Sequence, residues 1–179
     1  YHEAFHQYVY YAVGEVAPHA WFNEGYGDYF SGAEFNTHGD VLRIRPNPWR
    51  VEAIKHFLGE CPSWAELVKM DQAAFMANAE VHYPMAWSLV YFLEESREAE
   101  ARQDWAGILP RYYAALKDGY VRERTRLRSE QPAQDERARV ADASELARGA
   151  ALAAAFAGLD LDELQGAWTS FVLALKPPK

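Results

Sequence analysis

A mainly α fold in a single domain is predicted by three observations. The chain has 179 residues, about one domain's worth of polypeptide and too short for two independent cores. Capping residues and helix-breaking Gly and Pro divide nearly all of it into segments whose apolar residues recur at helical spacing. Only one stretch, Val41-Leu42-Arg43-Ile44-Arg45, alternates with the two-residue period of a strand. The expected architecture is a helical bundle with at most one short strand or hairpin near residues 34–46.

Taken in order, residues 1 to 13 contain neither Gly nor Pro, and the run breaks at Gly14 with Pro18 following, as a first helix and its end would. His19 to Phe30 is aromatic and acidic and stops at Ser31-Gly32, giving a second helix. Its interior Gly25 and Gly27 each cost about 1 kcal/mol relative to Ala, so a packing reason is expected for both. Residues 33 to 47 mix Gly, Asn, Asp and Pro around the alternating stretch and read as a loop holding one strand. Pro48 suits the first position of a helix over Trp49 to Leu58. Ser63 with Glu66 three residues on makes a capping box for a short helix, and Asp71 caps another. Residues 80 to 98 put Met85, Leu89, Phe92 and Leu93 on one face of a long buried helix. Residues 103 to 118 continue with Trp105, Ile108, Leu109, Tyr112, Tyr113 and Leu116 until Gly119.

Residues 120 to 142 hold Arg122, Arg124, Arg126, Arg128, Arg137 and Arg139 with few apolar partners. They are expected to form an exposed or flexible connection, or an exposed helix, within the one domain spanning 1–179. Glu123, Glu130, Asp135 and Glu136 interrupt the positive charge, so this stretch is not assigned to nucleic acid. An Ala-rich helix near 143 to 157 and a last one opened by Asp160 with Glu163, ending before Pro177, close the chain. There are no internal repeats.

With 50% hydrophobic, 15% aromatic and 25% charged residues, the composition is that of a folded protein. The 18 Lys and Arg against 26 Asp and Glu leave a net charge of -8, which opposes a polyanionic partner such as nucleic acid. A single cysteine, Cys61, excludes an intramolecular disulfide framework and a Cys-rich zinc finger. Any metal must therefore be held by His, Asp and Glu. No run of about 18 apolar residues is present, so no membrane-spanning segment is expected. The chain opens at Tyr1 rather than at methionine, as expected of a piece cut from a longer precursor, and no localisation or oligomeric state is read from what remains.

The chemistry is concentrated at the start. His2-Glu3-Ala4-Phe5-His6 is H-E-x-x-H on an expected helix. Positions four apart lie on one helix face about a turn from each other, so both imidazoles reach one metal ion with Glu3 beside them. Imidazole suits zinc, and a catalytic zinc site takes three protein ligands and keeps one position open, so a third ligand is required. Glu24 in Trp21-Phe22-Asn23-Glu24-Gly25-Tyr26-Gly27-Asp28-Tyr29-Phe30 sits 18 positions past His6 on a separate expected helix, room for a turn and an antiparallel return. Asp28, one turn further on the same face, is placed to accept the second ring N–H of a ligand histidine. Gly25 and Gly27 would let this helix approach the first closely.

H-E-x-x-H followed by W-x-N-E-G, with an acidic residue four past the glutamate, resembles the gluzincin metallopeptidases of the peptidase MA-like superfamily, the group of the thermolysin-like and aminopeptidase-N-like enzymes. The resemblance covers roughly residues 1 to 95. It implies that the chain is the H-E-x-x-H helix and C-terminal helical part of a zincin-like catalytic domain hydrolysing peptide or protein substrates. It implies Zn2+ as cofactor, with His2, His6 and Glu24 as ligands, Glu3 as general base and acid, and Asn23 and Asp28 as supports of the ligands. Tyr83-Pro84-Met85-Ala86-Trp87 resembles the helix whose first tyrosine stabilises the oxyanion in aminopeptidase-like members, which makes Tyr83 the oxyanion donor and His82 a neighbouring candidate. The acidic-lysine-glycine run that follows that tyrosine in the family is replaced here by Pro84-Met85-Ala86.

Two other readings stay open on the sequence. In gluzincins the substrate strand pairs with a sheet that precedes the H-E-x-x-H helix, and none of it is in this chain, which leaves a zinc-binding module without peptidase activity as the alternative. A metal-free helical interaction domain is the other. His19, His38 and His56 belong to no ligand pattern and are expected to be structural or exposed, and Cys61, followed by Pro62, is expected to be an idle thiol.

Overall fold

The structure is a computed structural model and describes residues 1–177. It is mainly helical with one short hairpin, the fold class expected. Helix α1 (His2–Ala12) ends where Gly14 turns the chain with a positive φ of 95°. After Pro18, α2 (Ala20–Phe30) returns beside it. Strands β1 (Ala33–Phe35) and β2 (Val41–Ile44) pair antiparallel, with Ala33 opposite Ile44 and Glu34 opposite Arg43. The second strand was expected. Its partner, Ala-Glu-Phe, is too short for its alternation to stand out, and the Asn36 side chain makes the turn by accepting from the His38 and Asp40 N–H groups.

The next helices follow their caps. Asn47 caps α3 (Pro48–Phe57), which runs into a 3-10 turn over Leu58–Glu60. The Ser63–Glu66 capping box opens α4 (Trp64–Leu67), and the Asp71 carboxylate caps α5 (Gln72–Ala77). The long helix α6 (Ala79–Glu95) lies in the middle of the molecule and is buried along nearly its whole length from Val81 to Leu93. Short helices α7 (Arg97–Ala101) and α8 (Gln103–Ala106) lead out of it.

The long helices that follow correct the sequence reading. Gly107 breaks the expected helix over 103–118, and Gly119 does not: α9 (Ile108–Glu130) runs straight through it. Residues 131–135 are the whole connection to α10 (Glu136–Phe156), so most of 120–142 is helix, largely exposed, with no extended linker. The physical reason is the facing surface. Ala143, Ala147, Ala151 and Ala155 make a fully buried small-residue stripe on α10, and Gly119 faces it, where an added Cβ would make an ordinary van der Waals contact with the Ala147 Cα at 3.5 Å. Gly119 lies inside a helix held by that packing and does not stop it. Ion pairs lace the arginine-rich surface, among them Arg126 to Glu123 at 2.8 Å and to Glu130 at 2.6 Å, so its charge is spent within the hairpin. Asp160 caps the final helix, α11 (Leu161–Ala174).

The core is aromatic. Trp21, Trp64, Trp87, Trp105 and Trp168 are all fully buried, and the Trp168 indole N–H donates to Ser88 Oγ on α6 at 3.1 Å. Helices α1, α2, α3 and α6 surround the region where the H-E-x-x-H residues lie. Among the described residues no helix is long and apolar enough to cross a membrane.

Candidate metal centre

His2 and His6 are one turn apart on α1, and α2 runs back across them with Glu24 and Asp28 one turn apart on its facing side. The two imidazoles stand edge to face, their ring centroids 4.5 Å apart. Nε2 of His2 is 3.3 Å and Nε2 of His6 3.5 Å from the same oxygen, Glu24 Oε2. The opposite nitrogens are both engaged: Nδ1 of His2 meets Asp28 Oδ1 at 3.1 Å and Nδ1 of His6 meets Asn23 Oδ1 at 3.0 Å. An N–H at each Nδ1 donates to these oxygens and leaves a lone pair on each Nε2.

That arrangement fits a metal cation. Two lone pairs and a buried carboxylate oxygen aimed at one another repel unless a positive charge lies between them. Ligand atoms at 2.0–2.1 Å from a tetrahedral zinc are about 3.4 Å from each other, close to the separations of both Nε2 atoms from Oε2. Among the described residues, His2, His6 and Glu24 form the cluster of metal-ligating side chains, with one ligand atom from each all within 4.8 Å. Glu24 is 7% and Asp28 6% exposed, so the ring-holding carboxylate is sheltered from competing water.

The two glycines of α2 do different work. A Cβ at Gly27 would sit 2.8–3.0 Å from three atoms of the His2 ring, so its absence gives the imidazole its place, as expected from a close approach to α1. Gly25 faces the other way. Its Cβ would lie 2.7 Å from the Ala86 carbonyl oxygen of α6, so that glycine seats α2 on the central helix and not on α1, which corrects the expectation for it.

Glu3 is exposed beside His2 and makes no hydrogen bond or ion pair among the described residues. Tyr83, on α6, is brought to the centre. Burial pushes its phenol up to about 12, with the Glu24 and Asp28 carboxylates adding to the shift, so it remains an O–H donor near neutral pH. Its hydroxyl points to Met76 Sδ at 3.7 Å, a weak acceptor easily exchanged for a better one. His82 is not brought there. Adjacent helix residues point about 100° apart, and with Tyr83 facing Glu24 the His82 ring turns to α5, where Nδ1 meets the Phe75 carbonyl at 2.7 Å.

One participant was missed by the sequence reading. Arg50 of α3 places Nε 2.7 Å from Asp28 Oδ2 and its guanidinium 5.4 Å from the centroid of the Tyr83 ring. The N–H lies off the line to the oxygen, so this is an ion pair and Oδ2 has no aligned hydrogen bond. Asp28 is thus held between Arg50 and His2. Nothing in the sequence signals it, because the contact depends on how α3 crosses α2.

Two clefts flank the centre. One of about 440 Å³ is lined by Asn23, Glu24, Lys69, Gln72 and Arg148, and another of about 310 Å³ by His6, Tyr10, Tyr11 and Asn23. The remaining histidines lie elsewhere. His38 and His56 are exposed, and His19 is bonded to Tyr112. Burial raises the Cys61 thiol to about 11, which leaves it protonated and unreactive near neutral pH.

The family model described as "Protein of unknown function (DUF1570)" matches residues 1–106. The chain belongs to the DUF1570 family. The matched stretch contains every residue of the centre, from His2 through Arg50 to Tyr83, and ends before α9. The long helical hairpin lies outside the matched residues. No curated protein and no solved structure matches the chain.

Proposed function

We propose that this chain is the helical part of a zinc-dependent peptidase that hydrolyses peptide bonds in peptide or protein substrates. The observation that carries the reading is the convergence of the His2 and His6 Nε2 atoms on Glu24 Oε2, with both outer ring nitrogens already committed. Zinc held by these three side chains would polarise a scissile carbonyl and lower the pKa of a water molecule towards 7.

The chain's own residues account for the rest. Asp28 and Asn23 fix the ring tautomers, so the Nε2 lone pairs stay directed at the metal. The free carboxylate of Glu3 takes a proton from the attacking water and passes it to the leaving amine. Tyr83 donates its O–H to the carbonyl oxygen as negative charge develops there, an interaction whose loss typically costs about 10²–10³ in rate. His82, turned to Phe75, has no part in this scheme.

The test is turnover. Zinc-loaded protein is expected to cleave members of a quenched-fluorescence peptide library, to lose that activity on removal of zinc by a chelator, and to regain it when zinc is restored. About one zinc per chain with no cleavage of any library member would replace the peptidase with a metal-binding module, and protein that takes up no zinc would overturn the site itself.

A further inference from the structure

On the face of α1 next to the histidines lies a second cavity, of about 510 Å³, between α1, α2, the end of α6 and the start of α9. Its walls are aromatic and aliphatic, with Phe5, Phe22, Phe30 and Leu109 prominent; Tyr8, Tyr26 and Tyr113 also line it, and its charged side chain is Glu94. Cavities of this size that are mostly apolar with few fixed polar groups are the usual form of small-molecule sites.

The carboxylates at this cavity are solvent-exposed and have no basic partner among the described residues. Glu94 and Glu95 lie in the last turn of α6, where the carbonyl end of the helix dipole already makes the potential negative, and that turn holds no basic residue. Tyr26 donates its hydroxyl to Glu94 and Tyr29 donates to Glu95 at 2.6 Å, but among the described residues neither carboxylate pairs with Lys or Arg. The Tyr26 hydroxyl engages one Glu94 oxygen, Oε1. A neutral apolar guest gains nothing from the exposed carboxylate, and an anion would be repelled. A guest with a cationic end pairs with it, and the surrounding π faces attract it further.

We propose that this cavity is a binding site for a small amphiphilic ammonium compound, with the apolar body among Phe5, Phe22 and Phe30 and the charged nitrogen on Glu94. The site does not depend on the peptidase reading, because Phe5 and His6 point to neighbouring faces of α1.

Calorimetric titration of the zinc-loaded protein with 2-phenylethylamine at neutral pH tests it. One saturable site per chain is expected, at least ten times tighter than for 2-phenylethanol, with no binding of 3-phenylpropionate. Glu94→Gln, which retains an acceptor for Tyr26, should reduce the amine to the affinity of the alcohol. Ala106→Trp, at an exposed position on the opposite wall, should abolish binding by filling the cavity, with melting curves showing that both variants fold. Equal affinity for amine and alcohol, binding of the carboxylate, an unchanged Glu94→Gln or Ala106→Trp titration, or no saturable binding would each overturn the proposal. Loss of amine binding on removal of zinc would do so too, since it would place the amine on the metal.

Discussion

Asp28 is the residue on which the centre's geometry turns, because it faces the His2 ring on one side and the Arg50 guanidinium on the other. Without Arg50 its carboxylate would be free to rotate or to take up water, and the His2 ring would lose its fixed tautomer. Arg50→Ala is therefore expected to weaken zinc affinity about 10–100-fold, measured by competition with a chromophoric chelator, and Arg50→Lys to recover part of the loss. An unchanged affinity in Arg50→Ala would mean that Asp28 is held without it. At this scale legibility followed local periodicity. His2, His6, Glu24 and Asp28 were readable because each pair is four apart, a spacing whose outcome on a helix is fixed. Arg50 was not, being 22 residues beyond Asp28 in sequence and on another helix. The choice between His82 and Tyr83 was equally hidden, since adjacent residues differ only in which way the helix is rotated.

Helix α2 is the element that joins the centre to the core, and its two glycines separate those roles. Gly27→Ala drives a methyl group into the His2 ring, so zinc binding is expected to be lost with little change in the melting temperature of the zinc-free protein. Gly25→Ala meets the Ala86 backbone oxygen, which cannot swing aside, so destabilisation of about 1–3 kcal/mol is expected from overpacking. Thermal melts and zinc titrations on the pair check this: equal effects of both substitutions on both measurements would remove the distinction. Most other elements were legible from their caps. Ser63, Asp71 and Asp160 each accept from the backbone N–H groups that the sequence suggested. What failed was the meaning of Gly119, because a glycine that stops a helix and one inside a helix that packing carries onward look alike until the alanine stripe opposite is seen.

Across the whole molecule, His19 ties the start of α2 to α9. The Tyr112 hydroxyl accepts from the His19 backbone N–H at 2.8 Å and meets its Nδ1 at 2.9 Å; the buried hydroxyl proton has no other acceptor among the described residues, so it is donated to Nδ1. Burial, with the Arg148 guanidinium nearby, lowers His19 from 6.5 to about 4. Because the folded value lies below the unfolded one and the neutral ring is the favoured form, its contribution is complete above about pH 6.5 and is lost as pH falls from there towards 4. Lowering pH from 7.5 to 5 is expected to cost roughly 1–2 kcal/mol through this residue, and His19→Asn, which keeps an acceptor that does not titrate, should flatten that part of the melting profile. A profile identical in both proteins would contradict it. The bond also links the family-matched part of the chain to the hairpin beyond it, so the centre's support extends past residue 106. The mainly α architecture and the return of α2 onto α1 were legible from caps and spacing, whereas the way α3 and α6 close on that pair was not, since it is set by packing between distant segments. The central claim is that the convergence of these helices builds a hydrolytic zinc site, and peptide hydrolysis by Glu3→Gln, with zinc content measured on the same sample, tests it most directly. The variant is expected to bind zinc as the parent does and to have lost its cleavage of peptides; a variant that keeps its zinc and cleaves as fast as the parent contradicts a hydrolytic role for Glu3.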